Sequence, residues 1–101
     1  MRNVIKRLAA ATALTAAATI PNAETQGVSD DEIVIGSVND LSGSFAAVGV
    51  PATKGANVVF DRVNAEGGVH GRKIRFVVED NGYQMPRAMQ GYNKLLNRDK
   101  V

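Results

Sequence analysis

The chain has 101 residues, no cysteine, and twelve Lys and Arg against ten Asp and Glu, for a formal net charge of +2. That length is the size of one small domain, and the lack of cysteine excludes disulfide staples and a lipid-modified cysteine anchor. Arg2, Lys6 and Arg7 stand ahead of everything else, so the remainder carries nine basic against ten acidic residues and is net −1, which excludes an electrostatic footprint for nucleic acid.

Residues 8–20 form an uncharged run rich in Ala, Leu and Thr behind that basic cluster, the pattern of a secretory signal peptide. As a helix this run would span roughly 20 Å, against a hydrocarbon core of ~30 Å. It also lacks the polar face that an interfacial or one-sidedly packed helix needs. Cleavage after Ala23, or after Ala18 through the small pair Ala16 and Ala18, would release a soluble periplasmic product. We therefore expect a leader over residues 1–23, a mobile polar segment over 24–31 and a folded unit over 32–101. The 78 residues after Ala23 would bury only about 60% of their unfolded surface, so a unit of that size is marginal alone.

Glu32-Ile33-Val34-Ile35-Gly36-Ser37-Val38 contains three consecutive branched apolar residues, as a central strand covered on both faces does. Residues 39–49 hold two Ser and two Gly, suited to a tight strand-to-helix connection. Pro51 fits a first helical turn. Ala52, Gly55, Ala56, Val59, Phe60 and Val63 then recur with helical spacing, which predicts an apolar stripe packed on a sheet. On that stripe Gly55 and Ala56 should bring helix and strand close, and a larger residue there should cost ~1–3 kcal/mol.

Gly67 and Gly68 stop the helix, since glycine accepts the left-handed conformation beyond a helix end. Val69-His70-Gly71-Arg72 turns into a second strand, where Ile74, Phe76 and Val78 alternate with Lys73, Arg75 and Val77. Asn81-Gly82 marks another turn. Pro86 opens a second helix to about Arg98, with Ala88, Met89, Tyr92, Leu95 and Leu96 on one face. Neither Gln84 nor Met85 is a good cap there, a deficit of ~1 kcal/mol.

The fold class read from this order is α/β, a β-α-β-α opening of a doubly wound parallel-sheet lobe. It puts the Asp40-Leu41-Ser42-Gly43-Ser44 loop at the carboxyl end of a strand, where open α/β sheets bind ligands. Ser42, Gly43 and Ser44 offer hydroxyl and N–H donors near a helix N-terminus, which suits a carboxylate; the plainer alternative is that they only make the turn. Phe45, Ala46, Ala47 and Val48 would form an apolar wall, with core packing the competing role for Phe45. Tyr83 either reaches the cleft rim or covers the sheet edge. His70 lacks partners at metal spacing and reads as a turn residue. Asp30-Asp31-Glu32 and Glu79-Asp80 read as solvated charge. Residues 49–54 lack the Gly-Lys-Ser/Thr ending of a phosphate loop, and no serine has a partnered His and acid. No catalytic residue, metal or cofactor is expected.

Ile33-Val34-Ile35-Gly36, Leu41-Ser42-Gly43, Val63-Asn64-Ala65-Glu66-Gly67-Gly68-Val69-His70-Gly71-Arg72-Lys73-Ile74 and Glu79-Asp80 together closely resemble the leucine/isoleucine/valine-binding-protein family of ABC-transporter periplasmic receptors. The resemblance covers residues 28–101. It implies a protein of two α/β lobes that close about a hinge on a small solute, of which this chain would be the opening of the first lobe, truncated and unable to bind alone. It implies no enzyme activity, an amino acid or related small organic solute as ligand, and an ABC permease in the inner membrane as partner. In the family, most groups that hold the ligand's carboxylate and ammonium lie on later loops and on the second lobe. The position of Val48 is aromatic in some branched-chain binders, and some members carry a disulfide in this lobe that a cysteine-free chain lacks. A ligand-sensing extracytoplasmic domain of a signalling receptor is the alternative implied by the same fold. A secreted flavodoxin-like enzyme half is a third, and the sequence supplies no nucleophile, metal or phosphate motif for it.

Overall fold

The computed structural model describes residues 25–101; the leader expected over 1–23 lies outside them. Four elements follow in chain order: β1 (Glu32–Asn39), α1 (Ala46–Ala65), β2 (Lys73–Asp80) and α2 (Met85–Asn97). β1 and β2 pair in parallel, in register from Glu32 opposite Lys73 to Asn39 opposite Asp80. Both strands therefore end at the same level, and both following loops emerge side by side.

Alternation along the strands assigns the helices to opposite faces of the sheet. Phe76 stacks edge-on against Phe60 of α1, with ring centroids 5.0 Å apart, and the Asn39 amide donates to Thr53 Oγ1 at 3.1 Å. On the other face, a Cβ added at Gly36 would touch Leu95 of α2, and one at Gly91 of α2 would touch Val38 and Glu79. The expected doubly wound α/β arrangement is thus present. Its core is small: Leu95, 3% exposed, is the buried hydrophobic residue among those described, and β1 is half-buried along its length.

The apolar stripe of α1 differs from the expected one. Gly49 is buried, and Val50, Thr53, Ala56, Phe60, Val63 and Asn64 are half-buried, whereas Ala52, Gly55 and Val59 are exposed. Two inward residues are polar and escape a count of apolar periodicity because their polarity is used: Thr53 accepts from Asn39, and Asn64 accepts from the Ile74 N–H and donates to the Ile74 carbonyl, both at 2.7 Å. Close approach accordingly falls at Gly49, not at Gly55, which has nothing within 4 Å of an added Cβ. The helix also starts ahead of Pro51, which lies inside it; the missing proline N–H leaves the Ala47 carbonyl without its i+4 donor. In α2, likewise, Gly91 is buried and Met89 and Tyr92, expected inward, are exposed.

Both glycines after α1 have positive φ and close a Schellman motif: the Gly68 N–H bonds the Val63 carbonyl at 2.9 Å and the Gly67 N–H the Asn64 carbonyl at 3.2 Å. His70 (φ 51) and Gly71 (φ 79) are the central pair of a two-residue turn that Val69 and Arg72 close with reciprocal backbone bonds, the primed turn that suits strand twist. Residues 25–31, within the segment expected to be mobile, are tied to the sheet. The Val34 N–H donates to the Gly27 carbonyl at 2.7 Å, and the Gln26 amide reaches the Leu96 and Val101 carbonyls.

Candidate functional site

Beyond Asn39 and Asp80 the two loops are joined first by backbone: the Asn81 N–H donates to the Asn39 carbonyl at 3.0 Å. The stronger tie is the Asp80 carboxylate. Oδ1 accepts the Leu41 N–H at 3.0 Å and the Gly82 N–H at 2.8 Å. Oδ2 accepts the Ser42 hydroxyl at 2.6 Å and an Arg87 guanidinium N–H at 3.1 Å. These bonds, led by the one from Ser42 and then that from Gly82, hold the Asp80 carboxyl down to about 2 from its ordinary 3.8, because each stabilises the ionised form.

Gly43 adopts φ 78 and rests on the Gly82 carbonyl, which a Cβ would meet at 3.4 Å. On the second loop, Gly82 and Tyr83 both have positive φ, and the Asn81 side chain fixes that bend by accepting the Tyr83 N–H at 2.8 Å. The Tyr83 ring thereby comes to 4.2 Å from that of Phe45, inclined at 43°. Phe45 nevertheless stays 42% exposed, Tyr83 66% and Val48 69%. Phe45 and Tyr83 make an apolar wall open to solvent, and Val48 is exposed one turn further along α1.

That wall stands at the start of α1, whose N-cap is Phe45; no side chain caps it, and its first turn has no acidic residue. Of the N–H groups in that turn, those of Ala46 and Val48 already donate to the Gly43 carbonyl at 3.2 Å and the Phe45 carbonyl at 2.9 Å, so the start of α1 presents the positive end of the helix dipole and the Ala47 N–H. Ser44 and Ala47 are exposed there.

The seven residues singled out from sequence therefore divide. Phe45 and Tyr83 are brought together, Val48 is exposed a turn further along α1, Ser44 and Ala47 flank the helix start, and Ser42 and Gly43 build the turn, the Ser42 proton being committed to Asp80. Sequence reasoning missed Asp80, which it read with Glu79 as solvated charge. Consecutive strand residues point to opposite faces, and Glu79 pairs with Lys94 of α2 instead. A strand-terminal Asp directly before an Asn-Gly turn, level with a Ser-Gly loop on the neighbouring strand, is the signal that could have found it. Of the acidic run, Glu32 pairs with Arg75 across the sheet, and Asp31 accepts from Ser29 at 3.0 Å.

Parallel strands with a helix on each face define the opening of a doubly wound α/β lobe. Residues 32–101 match the family described as Periplasmic binding protein, and the chain belongs to that family. An amino acid binding protein of Pseudomonas aeruginosa is 31% identical over 70 residues, which cover 69% of this chain and 19% of that protein. Among solved structures, a fatty acid ABC transporter substrate-binding protein from Thermomonospora curvata aligns with a TM-score of 0.71 and 37% identity, over 74% of this chain and 19% of its own. A branched-chain amino acid transporter substrate binding protein of Streptococcus pneumoniae, solved with isoleucine, aligns at 0.67 and 37%, over 70% of this chain and 20% of its own. The chain thus spans about a fifth of the length of the relatives it matches.

Proposed function

We propose that this chain supplies the opening of the first lobe of a non-catalytic, periplasmic solute-binding component of an ABC importer. Its solute is an amino acid of the branched-chain type or a related small organic anion with an apolar tail. The observation that carries this reading is the exposed pair of Phe45 and Tyr83 beside the start of α1, which no side chain caps. A carboxylate suits the helix end, and a hydrocarbon tail suits the wall. The family's names for its members' ligands, branched-chain amino acids and fatty acids, combine the same two chemistries.

On this reading the solute bridges two lobes and shifts the population toward a closed form that the permease recognises. Residues 42–48 and Tyr83 form this lobe's share, and residues 1–23 direct export. A lone wall exposed on one side encloses nothing, so the 101-residue chain by itself should show no micromolar binding. The test is thermal stabilisation of the intact gene product by leucine, isoleucine, valine and a saturated fatty acid. A shift with one of these classes, weakened by Phe45→Ala or Tyr83→Ala, is the expected result; no shift across the panel removes the reading.

A further inference from the structure

We propose that Asp80 is the positioning residue of the solute wall: its carboxylate clamps the loop after β1 to the loop after β2 in the arrangement that brings Phe45 and Tyr83 together. This rests on the reading that the wall meets solute, but the clamp is a property of the chain itself.

The donors come from three separate pieces of structure. Leu41 and Ser42 belong to the first loop, Gly82 to the second, and Arg87 to α2. Each carboxylate oxygen serves both sides: Oδ1 holds one amide from each loop, and Oδ2 holds the first loop's hydroxyl and the guanidinium of α2. Phe45 follows Ser42 by three residues and Tyr83 follows Gly82 directly, so both rings are carried by segments that the carboxylate fixes. Tyr83 has φ 57, a backbone state that a non-glycine residue keeps only where its surroundings impose it. The Asn81 side chain imposes it within the second loop; the Asp80 carboxylate is the side chain that refers that loop to the first.

The replacement Asp80→Asn separates clamping from general stability, because an amide keeps one oxygen acceptor but cannot take all four donors. In a Tyr92→Phe background Tyr83 is the one tyrosine of this tryptophan-free chain, and NMR reads its ring directly. Expected for Asp80→Asn are loss of the Phe45–Tyr83 ring cross-peaks and about tenfold or faster amide exchange at Leu41 or Gly82, with Ile35 and Phe76 in the strands unchanged. Ring contacts that persist overturn the proposal. So does exchange accelerating equally in strands and loops, which marks a residue of stability alone. Should Asp80→Asn fail to fold, Ser42→Ala removes one donor from the first loop; selective acceleration at Leu41 with weakened ring contacts supports the clamp, and unchanged contacts and exchange refute it. In the intact gene product, isoleucine affinity should fall about tenfold with Asp80→Asn. A parent that binds isoleucine and a variant that binds it equally well sink the positioning role. A parent that binds none of the solutes named above sinks the site reading and leaves the clamp to the ring contacts.

Discussion

Replacing Gly49 with alanine tests how closely α1 lies on the end of β1. The new Cβ would meet the Asp40 carbonyl oxygen at 1.9 Å, its carbon at 2.6 Å and its nitrogen at 3.0 Å. Ordinary contact begins at 3.4 Å, so the helix start would have to withdraw by about 1.5 Å from backbone that no rotamer change can move. Overpacking costs ~1–3 kcal/mol, and a clash with backbone belongs at the upper end of that range. Alanine recovers about 1 kcal/mol of helix propensity over glycine, which leaves a net loss of about 2 kcal/mol. Gly55 lies in the same helix with open space around it, so Gly55→Ala should keep only the propensity gain of about 1 kcal/mol. Urea unfolding followed by far-UV circular dichroism should move the two midpoints in opposite directions at a common slope. Equal shifts for the pair, or stabilisation by Gly49→Ala, would refute the reasoning.

Asn64→Ala strips both partners from the Ile74 backbone groups and should lower stability by ~1–3 kcal/mol, read as a fall in the urea midpoint. His70→Asn keeps the primed turn with a residue that tolerates positive φ and should gain about 0.5 kcal/mol; a lower melting temperature would count against the turn assignment. Asp80 has its folded pKa lowered, to about 2 from 3.8, so its contribution is complete above the unfolded value and is lost as pH falls through the folded one. The Leu41 and Gly82 amide shifts, followed by NMR, should stay level down to about pH 4 and then move together with a midpoint near 2. Lys94, raised above its ordinary 10.5 by the Glu79 bond and then by that to Asp99, behaves in the opposite sense. Its tie between α2 and β2 should persist through neutral pH and weaken only in strong alkali, so Lys94→Met should flatten the alkaline limb of a stability profile.

Much of the architecture was legible from one chain. Three branched residues in Ile33-Val34-Ile35, the glycine pair after Ala65 and Pro86 before α2 are local signals, and local signals set where elements begin, end and turn. The order β-α-β with a crossover of helical length leaves a parallel pair as the natural solution, because the chain must return across the sheet. The same order puts the Ser42-Gly43-Ser44 loop at the carboxyl end of β1, where open α/β sheets bind ligands.

Which way each helix rolls is not a local property. Thr53 and Asn64 count as polar in any periodic pattern, yet they face inward because Asn39 and the Ile74 backbone, distant in sequence, supply their partners. Gly49 and Gly55 are indistinguishable as letters; only the carbonyl of Asp40 lying against one of them makes it indispensable. The same holds for Asp80, an acid beside another acid until four donors from three elements converge on its oxygens. Sequence determined the elements, their order and the end of the sheet from which the Ser-Gly and Asn-Gly loops emerge. Tertiary structure decided which side chains are spent holding that end together and which stay exposed, since hydrogen-bond partners and steric limits across the sheet exist only once the strands are paired.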